Sequence, residues 1–426
     1  LNLQSASKDQ LQQWAQQLQS EYETIKAKKL GLDLTRGKPS TEQLSLSDAM
    51  DGILKGNYLD ASGTDVRNYG GLDGIQAARE LGAEMTGVPA ANVLAAGNSS
   101  LTLMHQAMSI AYLYGLNGPE SAWNKQESAT VICPVPGYDR HYGVCEHLGI
   151  DMVTVGMDQN GPDMDAVEKL IKEDDSIVGL WCVPRFSNPT GVVYSDEVVE
   201  RIAKLANIAN PNFRVFWDNA YAVHALSDDA PQLLNIWQAC QAAGTEDSVL
   251  QFASTSKITF AGAGVAFMAA SDANLKGFKK SLAFMTIGPD KVNQLRHVEF
   301  FKADGALTAH MNKHADIIRP RFDSVLRHLE AAFGDNELGT WESAQGGYFI
   351  SFDTQPGLAK EVVQLAADAG VKLTPAGATF PYGKDPKDSN IRIAPTVPTV
   401  EQVDEAMKVF VCCVKLASVK QALTQA

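Results

Sequence analysis

An α/β fold built on a mostly parallel sheet is what the sequence predicts, on two observations. From about residue 90, short apolar and partly β-branched segments recur: Thr130–Cys133, Met152–Val155, Ile177–Val183, Phe213–Trp217, Val249–Phe252 and Val265–Ala269. Helical segments separate several of them, notably Asp163–Lys172 and Asp196–Asn207. This alternation implies crossover connections, parallel pairing and a sheet sandwiched by helices. Ligands of such sheets sit beyond the carboxyl ends of the strands, so the polar residues that follow the strands are the ones to inspect.

The remaining elements predict a smaller α+β domain made from both chain ends. Leu11, Trp14, Leu18, Tyr22 and Ile25 fall on one face of an N-terminal helix whose other face is polar. A long helical pattern runs from Thr308 to Phe333. It is followed by strand-like Gly347–Phe352, a helix near Leu358–Ala369 and strand-like Ile391–Ala394. Thr399 and Gln402 have capping-box spacing and open a final helix with Val403, Met407, Phe410 and Val414 on its apolar face. The division expected is residues 1–55 with the small domain, 56–310 as the large domain and 311–426 as the rest of the small domain. A length of 426 residues accommodates this at roughly 100–200 residues per domain.

Composition narrows the function classes. Hydrophobic residues at 45% and charged residues at 20% exclude a disordered or fibrous chain. No apolar run reaches the ~20 residues of a membrane span, and no stretch reads as a signal peptide. A net charge of −14 argues against nucleic acid and anionic membrane as partners. Cys133, Cys145, Cys182, Cys240, Cys412 and Cys413 show no metal-site spacing, and several lie in apolar runs. They are expected to be reduced core residues of a cytoplasmic protein.

Four stretches carry candidate chemistry. Lys257 follows a strand in Ser254-Thr255-Ser256-Lys257 and lies in a mostly uncharged stretch. A lone lysine at such a place is usually solvated, but an apolar setting favours the neutral amine that forms Schiff bases. Asp218 ends another strand in Asp218-Asn219-Ala220-Tyr221. It either caps the next helix or awaits a cationic partner. Asn188 lies in Asn188-Pro189-Thr190-Gly191, a turn by composition whose amide can also bind a ligand. Gly97-Asn98-Ser99-Ser100 precedes the helix-like run Leu101–Tyr114, an ordinary cap or an anion site.

In this order the stretches resemble the fold-type I pyridoxal-phosphate enzymes, class I aminotransferases, from Gly37 to Arg392. The resemblance implies that Lys257 links covalently to pyridoxal 5'-phosphate and that Asp218 pairs with its pyridine nitrogen. Tyr221 and Asn188 would bind the ring oxygen, and Tyr138, in Pro134-Val135-Pro136-Gly137-Tyr138, would stack on the ring. Asn98, Ser99, Ser100, Ser254 and Ser256 would surround the phosphate. Tyr69, in Asn68-Tyr69-Gly70, would reach the phosphate of a partner subunit, since the family is normally a homodimer. Arg392 would clamp the substrate α-carboxylate, with Gly37 and Asn188 beside it. One departure stands out: Gly264 occupies the place of an arginine that usually pairs with the phosphate.

The segment from Thr255 to Gly264 is similar to a divergent bacterial branch of aspartate aminotransferases related to the domain of MocR-type regulators. That narrower likeness implies aspartate as amino donor and 2-oxoglutarate as acceptor in a ping-pong exchange. Arg36, Lys38 and Arg140, or Lys291 and Arg296 from a neighbouring subunit, are candidates for a second carboxylate. A transaminase of another amino acid or a pyridoxal-phosphate lyase would use the same residues. A non-enzymatic effector-binding domain is disfavoured by the acidic chain. A metal hydrolase is disfavoured too, because the i,i+4 pair His310 and His314 has no glutamate between its members as in HExxH.

Overall fold

The computed structural model describes residues 2–3 and 5–425; Leu1, Gln4 and Ala426 lie outside the described residues, and with them the outermost ends of the expected division. After β1 (Leu32–Leu34), the next eight strands form one sheet. They are β2 (Val93–Ala95), β3 (Thr130–Val135), β4 (Asp151–Asp158), β5 (Gly161–Pro162), β6 (Ile177–Cys182), β7 (Arg214–Asp218), β8 (Val249–Ser254) and β9 (Ala266–Ala270). Their order is β2-β9-β8-β7-β6-β3-β4-β5. The pairs from β4 through β3, β6 and β7 to β8 are parallel. β9 runs antiparallel to both β8 and β2, and β5 antiparallel to β4. Two reversals leave β2 pointing the same way as β8, so the carboxyl ends of β2, β3, β6, β7 and β8 share one edge of the sheet.

Every residue of β6, β7 and β8 is buried, which is why these strands read as largely apolar runs rather than alternations. Alternate side chains serve opposite faces. Phe216 and Trp181 pack with the helices Ser100–Leu113, Asp139–Leu148 and Asp272–Leu282. Val215, Trp217 and Leu180 pack with Met164–Glu173, Asp196–Lys204 and Ile236–Ala243. The expected α/β sheet sandwiched by helices is therefore present.

Beyond the sheet come the helix Ala306–Phe333, β10 (Gly339–Trp341), β11 (Ile350–Thr354), the helix Ala359–Asp368, β12 (Val371–Leu373), β13 (Asn390–Ile393) and the helix Val400–Gln425. β10, β11 and β13 form an antiparallel sheet, and β1 from the N-terminal end pairs in parallel with β12. Leu18, Tyr22 and Ile25 of the helix Lys8–Lys26 share one core with Val403, Met407, Phe410 and Val414 of the last helix. The last helix opens as its spacing predicts: Gln402 N–H donates to Thr399 Oγ1 at 3.3 Å, and Thr399 N–H to Gln402 Oε1 at 3.0 Å. The strand expected at Gly347 starts at Ile350 instead. Gly347, at φ 74, sends its N–H to His224 O, so the chain is still turning there. All six cysteines are buried and unpaired. Among the described residues no helix is long and apolar enough to cross a membrane, and no group of three or more His, Cys, Asp or Glu could hold a metal ion.

Candidate active site

At the shared edge of the sheet a cavity of about 310 Å³ opens. Each strand end delivers one part of it: Ser99 and Ser100 after β2, Tyr138 after β3, Asn188 after β6, Asp218 at the end of β7, and Ser254, Ser256 and Lys257 from β8. Gly37 comes from the N-terminal segment and Arg392 from β13. Asn98 and Tyr69 do not line it. The Asn98 amide is tied to Gly262 O at 3.1 Å, and Tyr69 stands 83% exposed on the surface. A larger groove of about 1070 Å³ lies between 113–119 and 276–285; it gathers lysines and apolar side chains and none of the motif residues.

Lys257 lies in the turn after β8, partly open to the cavity. Its Nζ sits 5.4 Å from the centre of the Tyr221 ring and 6.0 Å from that of Tyr348. Burial among these rings pushes its amine below the ordinary lysine value, with Asp218 pulling in the opposite direction. Asp218 is 2% exposed. Its Oδ2 lies 2.9 Å from Nε2 of His141, while its Oδ1 has no partner. A carboxylate only accepts, so Nε2 of His141 carries the hydrogen. His141 is itself stacked on Trp181, ring centres 4.0 Å apart and planes at 4°, and meets Tyr138 edge-on. Nothing in the sequence reading named His141. Its signal was its place three residues after Tyr138 in a helix, where i and i+3 share a face.

Burial raises the hydroxyl of Tyr138 to about 12 and that of Tyr221 well above the ordinary value, so both are neutral donors. Asn188 follows Phe186, whose backbone is left-handed at φ 47. This strained turn is held from the far side, where a Cβ on Gly346 would meet the Phe186 ring at 2.4 Å, a contact only glycine permits. Asn188 Oδ1 accepts from Arg392 Nη1 at 3.3 Å. The Arg392 fork also donates to Thr374 Oγ1, Asp139 Oδ1 and Thr35 O at 3.2, 3.4 and 3.3 Å. Its plane lies over the Phe349 ring, 4.6 Å from the centre. On another approach to that ring, a Cβ at Gly37 would come within 2.3 Å of Phe349, so glycine is required there by space.

The helix Ser100–Leu113 starts at Ser99 without a side-chain cap, leaving first-turn N–H groups free for an anion. Ser254 and Ser256 stand beside it, their hydroxyls linked at 3.2 Å, with Ser256 donating to Asn98 O. At Gly264 a Cβ would lie 3.0 Å from Thr255 Oγ1 and 3.1 Å from Ser256 N. Asn293 donates to the carbonyls of Ala263 and Gly264 at 2.9 and 3.0 Å, so a side chain at Gly264 would crowd a loop already fixed. Of the five cations suggested for a second carboxylate, Arg36, Lys38 and Arg140 line the cavity, all exposed. Lys291 is 4% exposed and donates to the carbonyls of Tyr69 and Gly70 at 3.2 and 2.6 Å, which removes it as a free cation.

The family model described as aspartate amino-transferase matches residues 6–426. An aspartate aminotransferase of Corynebacterium glutamicum is 44% identical over 98% of this chain and 96% of its own length. The crystal structure of an aspartate transaminase from the same species superposes with a TM-score of 0.95 at 43% identity, covering 99% of both chains. An α-aminoadipate aminotransferase from Thermus thermophilus, solved with N-(5'-phosphopyridoxyl)-L-leucine, shares the fold at a TM-score of 0.74 and 21% identity over 93% of each chain.

Proposed function

The chain belongs to the aspartate amino-transferase family and is an aminotransferase, and on that premise we propose that it is a cytoplasmic homodimer that uses pyridoxal 5'-phosphate to exchange an amino group between aspartate and 2-oxoglutarate by a ping-pong route. The observation that carries this reading is the unpartnered Oδ1 of buried Asp218, in the same cavity as the amine of Lys257. An orphaned buried carboxylate oxygen is costly unless a donor completes it, and a protonated pyridine nitrogen is such a donor. The residues present fit the cofactor on this count, on the uncapped helix start at Ser100, and on a buried lysine whose basicity is lowered.

When bound, the cofactor would supply the electron sink for charge left at the substrate α-carbon. The chain supplies the rest. Lys257 would hold the cofactor covalently, and its amine would take the proton from the substrate α-carbon. Burial lowers its basicity, which favours the free amine, and proton transfer of this kind contributes ~10²–10⁴-fold. Asp218, held by His141, would keep a hydrogen on the pyridine nitrogen. Tyr221 and Asn188 would donate to the ring oxygen, and Tyr138 would cover the ring. Ser99, Ser100, Ser254 and Ser256 would surround the phosphate, with the uncapped first-turn N–H groups as donors and Asn98 O holding the Ser256 hydroxyl, and Tyr69 would reach across to a partner's site. Arg392 turns its fork from Asn188 and Asp139 to the α-carboxylate, a bidentate pairing that suits guanidinium geometry. Gly37 leaves the room this needs. Arg36, Lys38 and Arg140 favour an acidic donor, since they place positive charge at the cavity rim.

The test is the amino-donor profile of the purified, cofactor-loaded protein with 2-oxoglutarate as acceptor. Aspartate should give the highest kcat/KM. A profile led by an aromatic or aliphatic donor would overturn the aspartate assignment, and elimination without amino transfer would favour a lyase.

A further inference from the structure

Beneath the turn that carries Lys257 lies a buried polar cluster that the chemistry above does not use. His310 and His314, four residues apart on the helix Ala306–Phe333, both aim Nε2 at Ile258 O, at 2.7 and 2.8 Å. Gln43, 0% exposed, places its Nε2 at 3.1 Å from His314 Nδ1 and 2.9 Å from the Tyr348 hydroxyl. The Tyr348 hydroxyl in turn reaches Lys257 O at 3.4 Å.

We propose that Gln43 is a positioning residue for Lys257: through Tyr348 and His314 it clamps the successive carbonyls of Lys257 and Ile258, so that the N-terminal segment fixes where the lysine amine stands. This rests on Lys257 being the cofactor anchor.

The hydrogens on Gln43, Tyr348 and His314 follow from their neighbours. Ser40 N–H donates to Gln43 Oε1 at 3.0 Å, which sets the orientation of the Gln43 amide. Both hydrogens of its Nε2 are then spent, one on His314 Nδ1 and one on the Tyr348 oxygen. Tyr348 keeps its own hydrogen for Lys257 O. His314, accepting at Nδ1, must carry its hydrogen on Nε2 and gives it to Ile258 O, with Nε2 of His310 at 3.1 Å beside the same carbonyl. Burial keeps His314 at about 4 and lowers His310 as well, so neither ring gains a second hydrogen near neutrality to break this order. The amides of Ile258 and Thr259 are held by Thr255 O at 2.8 and 2.9 Å, so the backbone around Lys257 is fixed from both sides. Gln43 follows Arg36, Gly37 and Lys38 by a few residues. One short segment therefore touches both the rim of the cavity and the support of the amine.

Three variants test the clamp: Gln43→Met, which keeps bulk and removes both donors; Tyr348→Phe, which removes one hydroxyl; and Ser40→Ala, which disturbs the same helix cap without touching the Gln43 donors. Two quantities are read on the apoenzyme. One is the rate at which the visible band of the lysine-bound cofactor grows after adding pyridoxal 5'-phosphate. The other is the affinity for pyridoxine 5'-phosphate, which lacks the aldehyde and cannot link to lysine. Gln43→Met should slow band growth about ten- to hundredfold, the scale on which misplacement of a reacting group acts. Its affinity for pyridoxine 5'-phosphate should stay within twofold of wild type. Tyr348→Phe should shift in the same direction, and Ser40→Ala should match wild type. Wild-type band growth in Gln43→Met, or equal losses of rate and of pyridoxine 5'-phosphate affinity, would overturn the proposal. If Gln43→Met does not fold, Tyr348→Phe decides by the same criteria. Failure of the wild-type protein to form the band at all would instead refute Lys257 as the anchor.

Discussion

Asp218 and Arg36 line the same cavity under opposite conditions. Asp218 is 2% exposed, fixed by His141, which is fixed in turn by stacking on Trp181. Arg36, Lys38 and Arg140 stand exposed at the rim. At the floor, low dielectric and restrained geometry make each polar contact strong and its loss expensive. At the rim, solvent screens charge and leaves side chains room to adapt. The difference assigns the chemistry to the floor and substrate preference to the rim.

The sharpest way to break this division is at Lys257. Lys257→Ala should abolish both turnover and the visible band of the bound cofactor, read by steady-state assay and absorbance; an active variant that keeps the band contradicts it. Asp218→Asn comes next. It replaces the carboxylate proposed to face the ring nitrogen and should lower kcat by about 10²-fold or more, on the scale of a lost preorganised electrostatic contact. An unchanged kcat would mean that the orphaned Oδ1 serves no ligand. Arg392→Lys keeps the charge and loses the fork. Hydrogen bonds to charged groups are worth roughly 1.5–3 kcal/mol, so KM for amino and oxo acids alike should rise about 10- to 100-fold.

Buried histidines outside the cavity predict an acid limit. Burial holds His224 at about 3 and His297 and His314 at about 4, all below the ordinary 6.5. Below pH 6.5 the unfolded chain binds protons that the folded chain refuses. The stability present above 6.5 is therefore lost as pH falls toward 4, by up to about tenfold in the folding equilibrium per histidine and pH unit. Thermal midpoints measured across that window should fall; a flat profile contradicts the neutral buried histidines. The smallest effects belong to the rim. Alanine at Arg36, Lys38 or Arg140 should raise KM for aspartate only a few-fold, as exposed ion pairs contribute roughly 0.2–1 kcal/mol, and should leave alanine as donor unaffected. Equal effects on both donors would exclude that residue as a carboxylate site.

The sequence made the sheet legible because β6, β7 and β8 are buried on both faces and so contain little but apolar residues. The short β2 and β5, and the two-stranded pairing of β1 with β12, carried no such signal, since strands of two or three residues are too short to show a pattern of their own. Within the cavity, residues in local motifs were readable: Lys257 after its serines, Asn188 in its turn, Asp218 at a strand end. His141 is marked in the sequence only by its spacing, three residues after Tyr138. Gln43, Tyr348 and Phe349 were out of reach, because their meaning depends on contacts across much of the chain: Gln43 meets Tyr348 some 300 positions away, and Phe349 meets Gly37 at a comparable remove. Gln43 even reads correctly as something else, the N3 partner in a capping box with Ser40.

The most direct test of the account is to reduce the cofactor-loaded protein with borohydride and map the modified peptide by mass spectrometry. The account predicts a single reduced phosphopyridoxyl group, on Lys257. A label on another lysine, or none, would contradict it.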